Sequence, residues 1–224
     1  MNGFTTPSPR AARRLPALGA LFALASVLSG CASTPPATLL SLPSAVPLIA
    51  SAAPPRSMDA AMPVLAVGRL DIPEYLVARR VRYKVDDSTV AEWPDTYWAE
   101  RIEVGASREF TAALQQRLPG WRVCDADCTP LHPRASLRVD LVRMDYVRGQ
   151  RKLVGKVRFG VLGRTPDAGS AAANAAAAVN AARGEERVYE VAASGDSPQA
   201  QAQAVTELLR RIAADAAALV GAVS

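Results

Sequence analysis

The sequence predicts an α+β domain, with one mostly antiparallel sheet of about five to seven strands and two helices packed on one face. Two observations carry this prediction. Segments in which apolar and polar residues alternate are separated by short turn signals, as in β-hairpins. Each of the two long helical patterns follows a block of such segments, which is typical of α+β domains rather than of regularly alternating strands and helices.

The first thirty residues have the features of a secretory signal peptide. Arg10, Arg13 and Arg14 are their only charged residues, and a 12-residue apolar run occupies positions 17–28. That run is too short to cross a bilayer, which needs roughly 20 helical residues. The segment therefore predicts export rather than a membrane span.

Residues 28–31, Leu-Ser-Gly-Cys, resemble the bacterial lipobox, in which the cysteine thiol receives a diacylglycerol and becomes the new N-terminus. We therefore expect removal of residues 1–30 and lipidation of Cys31; the alternative is an ordinary signal peptide with a chance cysteine. Arg13-Arg14 raises twin-arginine export, but Leu15-Pro16 does not continue that motif. In such lipoproteins an aspartate after the cysteine favours inner-membrane retention, so Ala32 points to a lipid anchor in the outer membrane.

The charge of the chain gives little support for a nucleic-acid partner. The formal net charge is +5 for the full sequence and falls to +2 once the three arginines of the signal peptide are removed. Nucleic-acid binding requires a concentrated basic face. We therefore expect no nucleic acid among the partners.

Residues 31–62 have the composition of a tether, rich in proline and alanine and poor in charge. A short apolar segment at 38–42, closed by Pro43, is a candidate edge strand within it. If this strand forms, the free tether shortens to residues 32–37 and the domain lies close to the membrane. The globular domain is predicted to span residues 63–224.

The first half of this domain reads as strands followed by a helix. Residues 64–67 form an apolar run that suits a buried strand. Residues 81–85 alternate in polarity, and a turn at 86–88 predicts a hairpin whose second arm covers residues 89–93. Asp95 is a candidate N-cap for a helix that runs to about Leu118 and stops at Pro119-Gly120.

The second half repeats this order. Alternation from Leu137 changes phase after Leu141, which predicts a β-bulge near Leu141-Val142. Further strands are predicted at 153–161 and 187–193, on either side of an alanine-rich loop insertion at 163–184. Ser197-Pro198 marks the start of the last helix, because a capping serine precedes a proline in the first turn.

Cys124 and Cys128 are a candidate disulfide, because an exported protein meets an oxidising compartment. Two alternatives remain at this stage: free thiols, or a metal clip that also uses Asp125, Asp127 and His132. The spacing is not that of a familiar zinc site. We therefore expect no metal and no cofactor.

The sequence offers no recognisable catalytic constellation. His132 is the only histidine and lies in a proline-rich loop, and neither a G-x-S-x-G elbow nor an H-E-x-x-H pair is present. We therefore expect a protein that is not an enzyme.

The predicted hairpin carries the candidate partner-binding residues. Arg79 and three more basic residues form a strip, and aromatic residues follow at its end; the candidates are Trp93, Tyr97, Arg80, Arg82 and Lys84. The plain alternative is a solvated strand face that protects an edge from aggregation. Trp98 is expected in the core, whereas an exposed Trp93 or Tyr97 would be a typical interface anchor.

Three segments resemble a known family. Residues 67–76 (VGRLDIPEYL) resemble the V-G-x-v-x-l-P-x-Y-L opening of the ABC-type transport auxiliary lipoproteins, which accompany paraquat-inducible and other MCE-type envelope transport systems. Residues 98–102 (WAERI) resemble that family's W-A-E-x-l segment, expected at a helix start. Residues 38–43 resemble its Y-T-L-x-P strand, with leucine in place of the usual tyrosine. The alanine-rich insertion and the cysteine pair depart from the pattern.

The resemblance implies a periplasm-facing lipoprotein, anchored in the outer membrane, that docks an MCE-domain transport assembly there. An MCE-domain protein is the expected partner, and lipid is a further candidate ligand. The alternative function is that of an envelope-biogenesis lipoprotein that assists lipopolysaccharide or outer-membrane protein assembly.

Overall fold

The computed structural model describes residues 36–46, 62–163 and 185–222. Cys31, most of the predicted tether and nearly all of the alanine-rich insertion lie outside the described residues. The strands are β1 (Thr38–Leu40), β2 (Val64–Val67), β3 (Arg80–Lys84), β4 (Val90–Trp98), β5 (Arg122–Cys124), β6 (Ala135–Val147), β7 (Lys152–Gly163) and β8 (Glu185–Ala192). The helices are α1 (Ile102–Arg117) and α2 (Pro198–Ala222).

The eight strands form one mixed sheet, so the prediction of a mostly antiparallel sheet of five to seven strands was wrong. β6 lies at its centre. β7 and then β8 follow antiparallel on one side of β6. On the other side β2 and β3 both pair with β6 in parallel, β5 adds in parallel to β2, and β4 and β1 extend the sheet beyond β3.

The parallel pairings have a simple geometric cause. The segment between β2 and β3 continues along β6 instead of turning back: Gly68 N–H donates to Leu137 O at 3.0 Å, and Leu141 N–H donates to Asp71 O at 2.8 Å. The two short strands therefore run in the same direction beside one long strand. This places β3 and the hairpin with β4 at the far end of β6.

The bulge predicted near Leu141-Val142 is confirmed. The register between β6 and β7 shifts between Leu141 and Arg143, and Val142 is 43% exposed. Beyond this shift Met144 and Tyr146 return to the buried face. The bulge thus keeps large apolar residues inside along all of β6.

α1 begins at Ile102, so the prediction that Asp95 caps this helix was wrong. β4 continues to Trp98, and Asp95 lies within it with a φ of 43°. Arg80 pairs with Tyr97 but Arg82 pairs with Glu92. Residues 93–96 of β4 therefore lie opposite the single residue Val81 and form a large bulge. Pro94, which cannot donate a ladder hydrogen bond, fits such an interruption.

α2 begins where the sequence predicted. Ser197 Oγ accepts a hydrogen bond from Ala200 N–H at 3.1 Å, and Pro198 is the first helical residue. The apolar stripe of α2 is fully buried at Leu208, Leu209 and Ile212. The stripe packs in one hydrophobic cluster with α1 and with the inward residues of β6 and β7.

The two faces of the sheet differ in character. Inward residues of β6 and β7 are buried, whereas the alternating set that includes Ser136, Arg138 and Asp140 is exposed or half-buried. Helix packing is close on the buried face, since a Cβ added to Gly155 would lie 2.9 Å from both Cδ atoms of Leu208. The opposite face, here called the outer face, carries the charged residues of the strands.

The segment after β1 is built into the core. Leu40, Leu42 and Ala45 are buried. Thr206 Oγ1 in α2 donates to Pro43 O at 3.0 Å, and Arg210 Nε donates to Ala45 O at 3.0 Å. The predicted edge strand at 38–42 is thus present as the shorter β1, with the following residues held against the helices.

Candidate partner-binding surface

The basic residues of β3 share one side of the sheet. Val81 is fully buried, so Arg80, Arg82 and Lys84, which alternate with it, belong to the outer face. All three were predicted as partner-binding residues. Their strand position explains how a run of charge is compatible with a buried strand.

Each of these basic side chains has neighbours within the domain. Arg80 Nε and Arg82 Nε lie 3.5 Å and 3.2 Å from the two carboxylate oxygens of Glu92. Arg82 Nη1 donates to Tyr75 O at 2.7 Å, and Lys84 Nζ donates to Asp87 O at 3.2 Å. One carboxylate faces two guanidinium groups, so the strip keeps positive charge while its side chains are held in place.

A row of apolar and aromatic residues crosses the strip, in which Leu39 is exposed and Tyr97 is half-buried. Leu39 of β1 pairs with Tyr97 of β4, which pairs with Arg80 of β3. The Arg80 guanidinium lies 5.0 Å from the centre of the Tyr97 ring, and Leu39 is 62% exposed. An aromatic ring with a stacked arginine beside an exposed leucine is typical of an interface anchor. We call these three residues the hairpin patch.

Leu39 was not singled out from the sequence. The signal was available, because adjacent residues of a strand face opposite sides and Leu40 suits the core. Only the pairing of β1 with β4, however, places Leu39 beside Tyr97.

Trp93 is buried, so the prediction that it is a candidate exposed anchor was wrong. Its indole N–H donates to Gln201 Oε1 at 2.7 Å, and Gln201 Nε2 donates in turn to Arg82 O at 2.7 Å. The Tyr83 ring lies 4.9 Å from the Trp93 ring, and the Arg148 guanidinium stacks over the indole at 4.3 Å. The large bulge in β4 places Trp93 against α2. Trp93 thus joins the hairpin to the last helix.

A buried carboxylate lies beneath the turn that precedes β3. Asp145 on β6 is 3% exposed; the Tyr75 hydroxyl donates a hydrogen bond to it, and Arg143 Nε lies 2.5 Å from its other oxygen. Burial, followed by the hydrogen bond to Asp145, raises the pKa of Tyr75 well above its usual value. Tyr75 therefore stays a neutral donor, and it holds the Glu74–Leu76 turn on β6. Sequence reasoning missed Asp145, whose only signal is an acidic residue within an apolar strand.

Cys124 and Cys128 form a disulfide in the structure, with a Cα–Cα distance of 5.9 Å. The loop that follows includes His132, whose φ of 46° is left-handed, and it borders an open groove of about 790 Å³ on the outer face. Across residues 36–46, 62–163 and 185–222, no three His, Cys, Asp or Glu side chains are grouped so that they could hold a metal ion.

Membrane attachment was predicted through Cys31, which lies outside the described residues. Neither α1 nor α2, the helices of the described part, is long and apolar enough to cross a bilayer. The described chain starts shortly after that cysteine and enters β1 at Thr38.

Comparison with solved structures shows the fold. A crystal structure of an uncharacterised protein matches with a TM-score of 0.59 at 15% identity, over 83% of this chain and 99% of that one. The structure of protein XCC0632 from Xanthomonas campestris, of the family DUF330, matches with a TM-score of 0.55 at 14% identity, over 82% of this chain and 94% of that one. At these identities the likeness concerns the fold alone.

Comparison with curated proteins finds no match to this chain. The family model of the ABC-type transport auxiliary lipoprotein component matches residues 46–217, a range that contains β2 to β8, α1 and most of α2. The family that residues 67–76 and 98–102 suggested is thereby confirmed, and the chain belongs to the ABC-type transport auxiliary lipoprotein component family.

Proposed function

We propose that this protein is an accessory lipoprotein of an ABC-type lipid transport system, anchored in the outer membrane and facing the periplasm. In this role it docks an MCE-domain protein of the transport assembly to that membrane. Membership of the auxiliary lipoprotein family supports the association with an ABC-type transport system. The outer membrane and the MCE-domain partner are inferred from Ala32 and from the motif resemblance.

The observation that carries the proposal is the position of β1. This strand follows the proposed lipidated residue, Cys31, by only a few residues, which when fully extended span at most about 25 Å. The same strand supplies Leu39 to the hairpin patch. A short segment thus joins the proposed anchor to a strand that carries part of the partner-binding surface, which is the arrangement that a docking protein needs.

The filled core favours docking over direct carriage of lipid. Tyr146, Phe110 and Phe159 are among the largest fully buried side chains, and they occupy the space between sheet and helices. The groove of about 790 Å³ lies on the outer face and is open to solvent. We therefore assign the domain a structural role without catalysis, in which partner contacts are made by its surface.

Site-specific crosslinking in the native envelope tests this proposal. A photoreactive residue is placed at Leu39 or Tyr97 in the hairpin patch, and at Val188 as control. Val188 is 65% exposed but lies on β8, at the opposite end of the sheet. We expect an MCE-domain protein to be recovered from positions 39 and 97 and not from position 188.

Two results would contradict the proposal. Recovery of only lipopolysaccharide-assembly or barrel-assembly proteins would favour the alternative function in envelope biogenesis. Equal recovery of the MCE-domain protein from all three positions would show contact without a defined docking surface.

A further inference from the structure

A second candidate site lies where β4 leads into α1. A surface pocket of about 410 Å³ is lined there by Val77, Ala78 and Trp98 together with charged side chains that include Arg101 and Glu103. Trp98 ends β4, and Glu103 is in the first turn of α1. The pocket thus combines apolar lining with a carboxylate, beside the segment that resembles the family's W-A-E-x-l motif.

The carboxylate of Glu103 is the unusual feature of this pocket. Glu103 is 7% exposed, and within the described part of the chain neither of its oxygens accepts a hydrogen bond. Its ion-pair partner is the guanidinium of Arg101, whose side chain is 72% exposed. A carboxylate has about four acceptor positions, and buried polar groups are almost always hydrogen-bonded. Because Arg101 reaches Oε1, the acceptor capacity that the described residues leave unused is that of Oε2.

The neighbouring glutamates are satisfied differently. Glu100 accepts from Arg108 Nη1 at 2.7 Å. Glu109 accepts from Ala45 N–H at 2.8 Å and from Arg108 Nε at 3.2 Å. Of these three acidic residues, only Glu103 both lines the pocket and has a carboxylate oxygen, Oε2, that neither a hydrogen-bond donor nor an ion-pair partner among the described residues reaches. A donor supplied from outside the chain would satisfy it.

We propose that this pocket binds an arginine or lysine side chain of the protein partner, with Glu103 as the acceptor. The apolar stem of such a side chain would contact Val77, Ala78 and the Trp98 indole, while its charged end reaches Glu103 and displaces Arg101. Arg101 can move into solvent because its side chain is 72% exposed, and the incoming cation takes its place at Glu103, so that the buried carboxylate is not left unpaired. The identity of the partner rests on the proposed function, whereas the preference for a cation rests on Glu103 alone.

Titration with small ions tests the pocket without the partner. The full mature lipoprotein in detergent, isotopically labelled, is titrated with ethylguanidinium chloride and separately with inorganic phosphate, followed by NMR. We expect saturable shifts around Trp98 and Glu103 with ethylguanidinium. Glu103→Gln should weaken this binding at least about tenfold. Glu190→Gln, which removes an exposed carboxylate paired with Lys152 on the other edge of the sheet, should leave it unchanged.

A second variant guards against loss of binding through misfolding. Arg101→Gln removes the competing guanidinium, so we expect it to tighten ethylguanidinium binding several-fold. Weaker binding in Arg101→Gln, equal binding in Glu103→Gln, or saturable phosphate binding at Arg79 and Arg101 would each overturn the proposal.

The crosslinking experiment links the pocket to the partner. In Glu103→Gln, recovery of the MCE-domain protein from position 97 should fall several-fold, while Glu190→Gln should retain it. Unchanged recovery from a Glu103→Gln protein that no longer binds ethylguanidinium would overturn the assignment of the pocket to that partner. Failure to recover any MCE-domain protein from the wild type would instead reject the proposed function, and the titration would still decide whether the pocket binds a cation.

Discussion

The carboxylate of Glu109, in the middle of α1, accepts a hydrogen bond from the backbone N–H of Ala45 at 2.8 Å. Glu109 is 7% exposed, and Arg108 Nη2 lies 3.1 Å from its other oxygen. This contact joins the segment that follows β1 to a helix 64 residues away in sequence. It holds the segment that follows β1 against α1.

Glu109→Ala should therefore destabilise the protein and loosen its N-terminal segment. A hydrogen bond to a charged group contributes about 1.5–3 kcal/mol, so we expect the free energy of unfolding to fall by about that amount. Urea denaturation measures this change, and limited proteolysis should cut earlier within residues 36–46. Glu190→Ala, at a carboxylate that is 61% exposed, is the control and should change stability by less than about 0.5 kcal/mol. Equal effects of the two substitutions would show that Glu109 does not hold this segment.

Gln201 should matter through the two bonds that it makes. Its side chain accepts from the Trp93 indole and donates to Arg82 O, and it is 5% exposed. Gln201→Ala leaves both groups without this partner, so we expect a loss of about 2–6 kcal/mol, since each unsatisfied buried group costs about 1–3 kcal/mol. Thermal unfolding followed by tryptophan fluorescence measures the loss. The matched control is Gln203→Ala, because Gln203 is exposed and pairs with Ser194; a similar loss there would argue against a specific role of the Trp93 contact.

The parts of the fold that could be predicted are those with local signals. The bulge after Leu141 follows from a change in the phase of alternation, and the start of α2 follows from Ser197-Pro198. The parallel pairings have no such signal, because β2 joins β5 and β6, which lie far along the chain. Parallel strands need long connections, so no turn residues mark them. The hairpins of β3 with β4 and of β6 with β7, which do have turn signals, are present, whereas the parallel pairing of β1, β2 and β5 was not predicted.

In the candidate site, too, the features with local sequence signals could be predicted, and those that depend on long-range contacts could not. The alternation of Arg80, Arg82 and Lys84 with Val81 is readable from the sequence, and so is their common face. The burial of Trp93 is not, because it depends on Gln201, 108 residues further along the chain. Asp95 illustrates the same limit: an aspartate before a helical pattern is a typical N-cap, but pairing with β1 and β3 keeps this segment in a strand. Long-range contacts prevailed over local preference at both positions.

Gly155→Ala should destabilise the domain by overpacking. A Cβ at this position would lie 2.9 Å from both Cδ atoms of Leu208, which is fully buried and has little room to move. Overpacking of a core typically costs about 1–3 kcal/mol, and chemical denaturation measures this. The control is Gly149→Ala, where nothing lies within 4 Å of the added methyl group. If Gly155→Ala is as stable as Gly149→Ala, the packing of α2 on β7 is looser than described.

Tyr75→Phe should change stability in a pH-dependent way. The pKa of Tyr75 is raised in the folded protein above the value of 10.0 taken for an unfolded tyrosine. The folded state therefore holds this proton more tightly. The stabilisation that the protonated Tyr75 gives is complete below about pH 10 and is lost as the pH rises toward the folded pKa. Tyr75→Phe should flatten this alkaline loss, and urea denaturation over a series of alkaline pH values measures it. An unchanged alkaline slope would show that the hydroxyl titrates normally.

Cys31→Ala should release the protein from membranes. The acyl chains proposed on Cys31 would supply the hydrophobic free energy of attachment. Fractionation of envelopes, with immunodetection of the protein in membrane and soluble fractions, measures the release. Cys124→Ser is the matched cysteine control: it removes a disulfide that closes a small loop, should cost about 2 kcal/mol of stability, and should leave membrane attachment intact. Retention of Cys31→Ala in the membrane fraction would reject lipidation at this residue, and with it the argument that a short anchor places the hairpin patch near the outer membrane.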